Sequence, residues 1–411
     1  MLRVAMTCAQ PGMVLAHPVF HPIRHGTVLL NEGLRLDRWS IDRLRELRIR
    51  EVWIRYPSME GIREFVCPEV EAAHAALAGR ASEAFNLAIA DAHARMDYAL
   101  YRRGISTLLE KLARRPRAAL YIQEMVHEDD SLVRHATSVG YLSVLMGLKL
   151  QDYLITQRAR LDAVSARDVS SLGLGAMLHD IGMLKLEEGV VERWRRTRNE
   201  RDPDWRQHVH IGCEMVRDGG GASAASAILH HHQKFDGSGF PQRRHLDGSR
   251  NSVAGREIHV FSRIIAAADI FDRLRHSGEG ASLVPCVRVL GMMRQDPYRR
   301  WLDPMVFKAL LACVPAYSPG SVVRLSNRKQ AVVVDWAPAE PCRPVVEFLG
   351  EIGEEHAMEA ARRERLDLRA SPDVEVVEAE GRDVSGANFY SSTPGELDLA
   401  TAERTLFNAA G

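Results

Sequence analysis

A histidine and an aspartate, His179 and Asp180, stand side by side at the end of an apolar segment that covers residues 172–178. A second acid, Asp269, lies inside another apolar segment at residues 264–271. Burying an ionised carboxylate is costly unless it is paired with a cation, hydrogen-bonded or bound to a metal. The chain must therefore fold so that polar groups from separate apolar segments meet one another.

Histidines in two further segments add to this requirement. In a helix, His135 shares a face with Val139 and Leu142, so its imidazole is expected to point inward. A single inward histidine is more often a hydrogen-bonded core residue than a metal ligand. His208 precedes Gly212 by about one helical turn, and the small residue leaves room for close helix packing or for a metal.

Three consecutive histidines begin at His230, directly after an apolar stretch at residues 224–229, and a glycine-rich turn follows them. Such a run has little structural rationale. Neutral imidazoles suit iron, manganese, zinc or nickel, whereas carboxylates suit harder cations. Adjacent helical residues differ by about 100° in direction, so His179 and Asp180 reach one site only near a helix end or across a two-metal centre. Together these residues predict a buried metal centre, and so a metal-dependent hydrolase or the descendant of one.

The chain has 411 residues, which is too long for one ordinary core because domains contain about 150 residues. The hydrophobic pattern predicts strands at 14–15, 28–30 and 51–54 and a helix at 37–47 near the N-terminus, and further strands at 321–325, 331–335, 344–348 and 374–377. Five parts are expected: a small N-terminal α/β module (1–58), connecting helices (59–121), a helical domain with all the metal-type residues (122–317), a small β-module (318–380) and a poorly ordered tail (381–411).

Charge and cysteine content narrow the class of partner. Lys plus Arg balances Asp plus Glu at 54 each, so no overall field favours nucleic acid or an anionic membrane surface. The six scattered cysteines include no Cys-x-x-Cys pair, which argues against a disulfide framework or a zinc ribbon. No apolar run approaches the roughly 20 residues that span a bilayer, and the N-terminus lacks the apolar stretch of a signal peptide. We therefore expect a cytoplasmic protein that binds neither nucleic acid nor a membrane.

In their order along the chain, these motifs resemble the HD-GYP family, bacterial HD-superfamily phosphodiesterases that hydrolyse cyclic di-GMP. The resemblance extends over residues 127–310. It rests on His135, His179-Asp180, His208 with Gly212, His231-His232, the run Asp236-Gly-Ser-Gly-Phe-Pro241, and Asp269. It implies a mainly α fold in which an HD-superfamily helical bundle carries the small N-terminal α/β module and the small C-terminal β-module.

The resemblance also implies a site for two divalent transition-metal ions, iron or manganese. Asp180 would bridge the ions, and His179 and Asp180 would be the catalytic pair. Such a site would activate water to cut a phosphodiester of cyclic di-GMP, giving pGpG and, if a second bond is cut, GMP. The implied metal ligands are His135, His179, Asp180, His208, His231, His232 and Asp269.

Four further residues are candidates for binding the substrate: Lys185, Lys234, Asp236 and Asp272. Asp272 could instead accept a hydrogen bond from a histidine ligand. The turn Gly239-Phe240-Pro241 is the candidate surface for a partner, either a GGDEF-type protein or another signalling protein. The sequence leaves open whether the protein forms a homodimer.

Several positions depart from the family pattern. Met183 stands where the family has a lysine that contacts substrate phosphate, Gln233 stands for a glutamate, and Phe240 replaces the tyrosine of Gly-Tyr-Pro. The family's Arg-Pro-Tyr-Arg segment has no counterpart at residues 275–281. Losing two cationic contacts of roughly 1.5–3 kcal/mol each would slow the reaction by about two to four powers of ten. Arginines at 193–198 or 243–244 are candidate replacements, although such runs are more often a solvated surface.

The leading hypothesis is therefore a cyclic di-GMP phosphodiesterase whose activity is reduced by these substitutions. An alternative is a catalytically degenerate module that regulates by binding a cyclic dinucleotide or a partner protein. A third hypothesis keeps the hydrolytic chemistry and changes the substrate to another cyclic dinucleotide or a nucleotide monoester.

Overall fold

The computed structural model describes residues 1–21, 27–56, 59–90, 97–121, 131–244, 247–277, 283–349 and 364–410. The start of the predicted helical domain (122–130) and part of the predicted β-module (350–363) lie outside the described residues. Within them the chain is mainly α-helical, with a small sheet-containing part at each end. The predicted fold class is thereby confirmed.

The N-terminal module contains β1 (Leu2–Ala5), β2 (Val19–Phe20), β3 (Val28–Leu30), α1 (Arg38–Glu46) and β4 (Glu51–Ile54). Helix α1 begins after Asp37, whose carboxylate accepts a hydrogen bond from the backbone N–H of Ser40 at 2.7 Å, as an N-cap residue does. Strand β1 pairs antiparallel with β4. The predicted strand at 14–15 forms isolated bridges, from Val14 to Arg35 and from Leu15 to Ile54.

The predicted connecting segment consists of α2 (Pro68–Ala90) and α3 (Tyr98–Arg114). The two helices pack against each other and against helices of the central bundle. Their buried side chains, among them Leu77, Phe85 and Leu108, belong to the same hydrophobic core as the bundle. This segment is therefore an integral part of the bundle and not only a linker.

The most buried helices of the bundle lie at its centre. Its helices α4 and α11 are buried on almost every side, and a helix with no face that favours water belongs at the centre of a bundle. The elements are α4 (Ser131–Lys149), α5 (Gln151–Gln157), α6 (Ala163–Arg167), α7 (Ser170–Met177), α8 (Glu188–Thr197), α9 (Gln207–Gly220), α10 (Ala222–His230), the hairpin β5 (Arg243–Arg244) and β6 (Arg250–Asn251), α11 (Val260–Arg275), α12 (Cys286–Met293), α13 (Tyr298–Trp301) and α14 (Pro304–Leu311). None of the helices in the described part of the chain is long and apolar enough to cross a membrane.

The C-terminal part is an antiparallel sheet in the order β10-β9-β8-β7-β11-β12. Its strands are β7 (Val322–Leu325), β8 (Gln330–Asp335), β9 (Val345–Phe348), β10 (Arg365–Asp367), β11 (Val376–Ala379) and β12 (Arg382–Asp383). Successive side chains of a strand point to opposite faces. On β8, Ala331 and Val333 accordingly join the core of the bundle, whereas Val332 joins the core of the N-terminal module.

The end of the chain differs from the poorly ordered tail that its composition predicts. It contains β12 and a final helix, α15 (Leu399–Ala410). Phe389, Leu397 and Leu399 are buried in the main core, and Arg294 pairs with Glu396 at 3.3 Å. A few well-spaced apolar side chains are sufficient to attach this segment, although it is rich in Ser, Gly and Ala.

A close contact between two glycines holds the turn after α7 against α9. A Cβ on Gly182 would clash with the carbonyl oxygen of His208 and would lie 2.7 Å from the backbone nitrogen of Gly212. Both opposing atoms belong to backbone, which cannot move aside as a flexible side chain can. The contact therefore fixes the distance between the His179-Asp180 turn and the helix that carries His208.

We expect the Gly182→Ala variant to have a lower melting temperature, because the added methyl group must push α9 away from the turn. Overpacking of this kind costs about 1–3 kcal/mol. The control is Gly189→Ala in α8, where an added Cβ meets nothing within 4 Å, so its melting temperature should be unchanged or higher. Thermal unfolding followed by circular dichroism measures both, and equal melting temperatures would contradict the packing argument.

Candidate metal centre

Seven buried histidine and aspartate side chains meet inside the bundle. Five separate parts of the chain supply them: the first half of α4, the turn after α7, the start of α9, the end of α10 and the middle of α11. They are His135, His179, Asp180, His208, His231, His232 and Asp269, the set that the resemblance implied as metal ligands.

The adjacent pair His179-Asp180 lies in a turn between two helices. Helix α7 ends at Met177, and a short 3-10 helix (Ile181–Lys185) follows the pair directly. Two neighbouring side chains can face one site here because the backbone changes direction between them. The structure thus has the helix end that the sequence left as one of two ways to bring this pair together.

The seven residues form two groups. The Asp180 group consists of Asp180, His208, His231 and His232, and the Asp269 group consists of His135, His179 and Asp269. Within each group, one ligand atom from every residue lies within 4.8 Å of the others. Bonds from zinc-like ions to nitrogen or oxygen are about 2.0–2.2 Å long, so ligand atoms on opposite sides of one ion lie about 4 Å apart. Each group therefore has roughly the dimensions that a single ion requires.

The carboxylate of Asp180 faces both groups, with one oxygen directed to each. Its Oδ1 lies 3.4 Å from Nε2 of His208 and 3.6 Å from Nε2 of His231. Its Oδ2 lies 3.5 Å from Nε2 of His179 and 3.7 Å from Nε2 of His135. A carboxylate in this position can bridge a pair of cations, the role that the resemblance implied.

Hydrogen bonds on the far side of the rings fix which nitrogen faces the site. The Nδ1 atoms of His179, His208 and His231 lie 2.7, 2.6 and 2.6 Å from the carbonyl oxygen three residues earlier. A carbonyl oxygen only accepts, so Nδ1 carries a proton, and in the neutral imidazole Nε2 then keeps its lone pair. Histidine metal ligands are oriented in the same way in known sites.

The Asp180 group contains lone pairs without donors. Among the described residues, Oδ1 of Asp180 and Nε2 of His208, His231 and His232 are buried and have no hydrogen-bond partner. Burial lowers the pKa of His208 to about 4 and lowers the pKa of His231 and of His232 as well. Three neutral imidazoles and one carboxylate, all lacking donors, fit a divalent transition-metal ion.

The Asp269 group differs because its carboxylate already has cationic partners. Oδ1 of Asp269 accepts a hydrogen bond from Nε of Arg273 at 2.6 Å and lies 3.0 Å from Nε2 of His135. Burial opposes ionisation of Asp269, but Arg273 and His135 outweigh it and hold the pKa of Asp269 below its usual range. Burial likewise opposes protonation of His135, but Asp269 and Asp272 raise the pKa of His135 to about 9. The acid inside the apolar helix α11 is therefore paired.

Asp272 lies behind His135 and not at a substrate position. Its Oδ2 lies 2.6 Å from Nδ1 of His135, and Arg134 lies 3.4 Å from its other oxygen. The carboxylate thus turns Nε2 of His135 toward the site. Since Asp272 is absent from the cavity wall described next, the structure favours its alternative role, the hydrogen bond to a histidine ligand.

A basic cavity of about 660 Å³ adjoins the two groups. Arg273, which contacts Asp269, and Phe240, which packs on His232, form part of its wall. The charged and large aromatic side chains of the wall are Arg198, Arg201, Arg206, Lys234, Arg273 and Arg300, the acids Glu200 and Asp236, and the rings of Phe240, Tyr298 and Trp301.

Two of the four predicted substrate-binding residues, Lys234 and Asp236, line this cavity. Nζ of Lys234 lies 3.4 Å from the centre of the Trp301 ring. Lys185 does not line the cavity, because the 3-10 helix directs its side chain to α2, where it donates a hydrogen bond to the carbonyl oxygen of Ala88. Lys185 is therefore not a substitute for the lysine missing at position 183.

Met183 itself is buried in a small apolar cluster. Its neighbours include Trp194, Trp205 and Phe240, and the two tryptophan rings stack at 3.9 Å. The position where the resemblance places a lysine is therefore surrounded by apolar side chains.

The turn Gly239-Phe240-Pro241, predicted as a partner surface, buries its ring against the candidate metal centre, whereas Gly239 and Pro241 are half-buried. The ring of Phe240 is 5% exposed and stacks on His232 with 4.7 Å between ring centres. A Cβ on Gly239 would clash with the carbonyl oxygen of His232, and the side-chain amide of Gln233 donates a hydrogen bond to the carbonyl oxygen of Pro241. The phenyl ring is thus unavailable for contact with a partner.

Sequence reasoning missed several residues of this region. Arg273 stands four residues after Asp269, a helical spacing at which opposite charges meet, so a signal for it was present. Trp205, Tyr298 and Trp301 belong to no motif, and only the folded chain brings them to the centre or to the cavity.

Residues 149–306 match the family model of the HD domain, a range that includes six of the seven residues and begins after His135. The chain is 26% identical over 360 residues to a cyclic di-GMP phosphodiesterase of Pseudomonas aeruginosa, covering 79% of this chain and 77% of that relative. It is 29% identical over 156 residues to a 3'3'-cGAMP-specific phosphodiesterase of Vibrio cholerae, covering 37% of this chain and 31% of the relative. A cyclic di-GMP phosphodiesterase response regulator of Xanthomonas campestris is 29% identical over 116 residues, covering 27% of this chain and 28% of its own.

A solved structure of an HDG"Y"P protein from Bdellovibrio bacteriovorus aligns over 75% of this chain and 97% of its own, with 14% identity and a TM-score of 0.41, too low to support a conclusion about this chain. The family match and the curated relatives confirm the predicted resemblance: residues 149–306 are similar to the HD domain, and the chain is similar to cyclic di-GMP phosphodiesterases.

We expect His232→Ala to weaken Mn²⁺ binding strongly, because it removes a lone pair from the Asp180 group. Loss of an outer hydrogen-bond partner alone costs metal affinity about 10–100-fold, so loss of the ligand should cost more. The neighbouring His230, whose Nδ1 lies 3.0 Å from the carbonyl oxygen of Ser226, lies outside both groups, and His230→Ala is the matched control. Calorimetric titration with Mn²⁺ measures both variants, and equal affinities would contradict the assignment.

Proposed function

We propose that this protein is a metal-dependent phosphodiesterase that hydrolyses a cyclic dinucleotide, with cyclic di-GMP as the leading substrate and pGpG as the product. The observation that carries the proposal is the carboxylate of Asp180, which spans two groups of buried ligands beside a basic cavity. The names of the relatives from Pseudomonas aeruginosa and Xanthomonas campestris support the choice of substrate.

In this reaction the oxygen of water forms a bond to phosphorus, the bond from phosphorus to a ribose oxygen breaks, and the ribose oxygen takes a proton. Negative charge develops on the phosphoryl oxygens as the bond to water forms. Divalent ions, when bound, supply a Lewis acid and lower the pKa of water. The mixture of imidazole and carboxylate donors suits iron or manganese, which we propose as the ions.

The residues of this chain hold the reactants in position. His179, His208 and His231 are oriented by their backbone hydrogen bonds, so their lone pairs need no rearrangement when an ion binds. Tight packing of Phe240 on His232 keeps water away from one side of the centre. Such preorganisation is a large part of catalysis, because no reorganisation has to accompany the reaction step.

The cavity has the chemistry that a cyclic dinucleotide requires. Six basic side chains against two acidic ones leave a positive field for the two phosphates of the substrate. The rings of Tyr298 and Trp301 offer faces on which a purine base can stack. These basic side chains can also make the phosphate contact that the family's lysine makes and that Met183 cannot make.

We expect His208→Ala to abolish Mn²⁺-dependent hydrolysis of cyclic di-GMP, because His208 is wholly buried and faces Oδ1 of Asp180 at 3.4 Å. His210 lies on the same helix but is exposed, so His210→Ala should keep activity within about twofold, as surface substitutions usually do. Chromatographic detection of pGpG measures both. A panel with 3'3'-cGAMP alongside cyclic di-GMP identifies the preferred cyclic dinucleotide.

Lys234→Met should raise KM for the cyclic dinucleotide by at least about tenfold, because a charge-assisted hydrogen bond to phosphate contributes roughly 1.5–3 kcal/mol. Lys185→Met is the control, since Lys185 lies outside the cavity and should leave KM unchanged. Steady-state kinetics on both variants decide between the two lysines, and a larger effect at Lys185 would contradict the proposed substrate position.

The second candidate function is a module that binds a cyclic dinucleotide without hydrolysing it. The burial of Met183 in an apolar cluster with Trp194 and Trp205 favours it, because an apolar side chain replaces the lysine of the family there. Calorimetric binding of cyclic di-GMP to the Mn²⁺-loaded protein with no pGpG after prolonged incubation would support this candidate and reject the enzyme. Turnover with a full metal complement would reject the module.

A further inference from the structure

The two ligand groups differ in how their negative charge is balanced. In the Asp180 group, four buried atoms face one another and have no hydrogen-bond donor among the described residues. In the Asp269 group, the ligand oxygen of Asp269 already accepts a hydrogen bond from Nε of Arg273 at 2.6 Å. Among the described residues, no donor of the protein thus satisfies the Asp180 group, whereas Arg273 supplies a cation to the Asp269 group.

Arg273 contacts the carboxylates of both Asp269 and Asp180. It lies one turn after Asp269 on α11, and its second terminal nitrogen lies 3.5 Å from Oδ2 of Asp180. Its guanidinium carbon lies 5.3 Å from the centre of the Trp194 ring, within reach of a cation–π contact. The guanidinium therefore sits between the two oxygens that a cation in the Asp269 group would also contact.

A guanidinium in this position opposes a metal ion in two ways. Arginine keeps its positive charge at every accessible pH, so a second cation a few ångströms away is repelled. The hydrogen bond from Arg273 also occupies one lone pair of Asp269, which is then not available to an ion. Arg273 lines the cavity, so its head group has space into which it can move, but it must leave both carboxylates to do so.

We propose that Arg273 takes the place of the second cation, so that this chain binds one ion tightly in the Asp180 group and a second ion only weakly in the Asp269 group. The inference rests on the proposed metal centre and deepens it, because it assigns unequal affinities to the two subsites. Arg273 would then be a permanently charged partner of Asp180 and Asp269 that the protein itself supplies.

Mn²⁺ titration of the chelator-treated full-length protein tests the inference without any substrate. The native chain should bind one Mn²⁺ tightly and a second at least about tenfold more weakly, whereas Arg273→Met should strengthen the second site by at least about tenfold, because it removes a like charge a few ångströms from the ion. Atomic-emission analysis after gel filtration should then find one retained Mn²⁺ per native chain and two per variant chain.

Arg300→Met is the matched control. Arg300 lines the same cavity, but its partner is the exposed Asp296 at 3.3 Å, so its loss should leave both Mn²⁺ affinities as in the native chain. Arg273→Lys, which keeps the charge, should also leave the second site weak. Circular dichroism checks that each variant is folded.

Two equal Mn²⁺ sites in the native chain would overturn the inference, and this measurement decides even if a variant does not fold. A folded Arg273→Met variant that still retains one Mn²⁺ would overturn it as well. Failure of the proposed function looks different: no Mn²⁺ binding at all would remove the metal centre itself, whereas absent hydrolysis with unequal Mn²⁺ sites would reject the enzyme and leave the inference intact.

Discussion

The structure depends on the burial of carboxylates in an apolar bundle. Asp180 and Asp269 are 6% and 3% exposed, and a charge at that depth is tolerated only if cations, donors or metal ions surround it. Five parts of the chain therefore have to converge on these two residues. The histidines and Arg273 fulfil this requirement around Asp269 within the protein itself, whereas Oδ1 of Asp180 has no donor among the described residues and is where we propose that a metal ion binds.

The second requirement is that the ligand atoms are held in precise positions. Backbone carbonyls hold Nδ1 of three histidines, and the Asp272 carboxylate holds Nδ1 of His135. Gly182 brings the His179-Asp180 turn into contact with the helix of His208. None of these supports contributes a ligand atom, but each removes freedom that an ion would otherwise have to restrict. The geometry of the centre therefore depends on ordinary packing and backbone hydrogen bonds as well as on the histidine and aspartate side chains.

The sequence predicted the fold class and the seven side chains that meet in the bundle, because buried polar residues stand out in apolar segments and because their order resembles a known family. The sequence was a poorer guide to the direction in which individual side chains point. Lys185 is only two residues from Met183, yet the 3-10 helix turns it to α2, and spacing alone could not reveal this. Phe240 lies in a glycine-rich turn typical of a surface, and only tertiary packing buries its ring on His232. The cavity draws its wall from segments 198–206, 234–240, 270–274 and 297–301, whose meeting no local pattern encodes.

Strand β8 contributes alternate side chains to two different hydrophobic cores, with Val332 facing the N-terminal module and Ala331 and Val333 facing the bundle. Backbone hydrogen bonds strengthen this link, since Arg3 of β1 donates to the carbonyl oxygen of Gly320, whose own N–H is bonded to Val333. Removing the N-terminal module would expose one face of a strand whose other face supports the catalytic bundle. We therefore expect the N-terminal module, the C-terminal sheet and the bundle to unfold together as one cooperative unit.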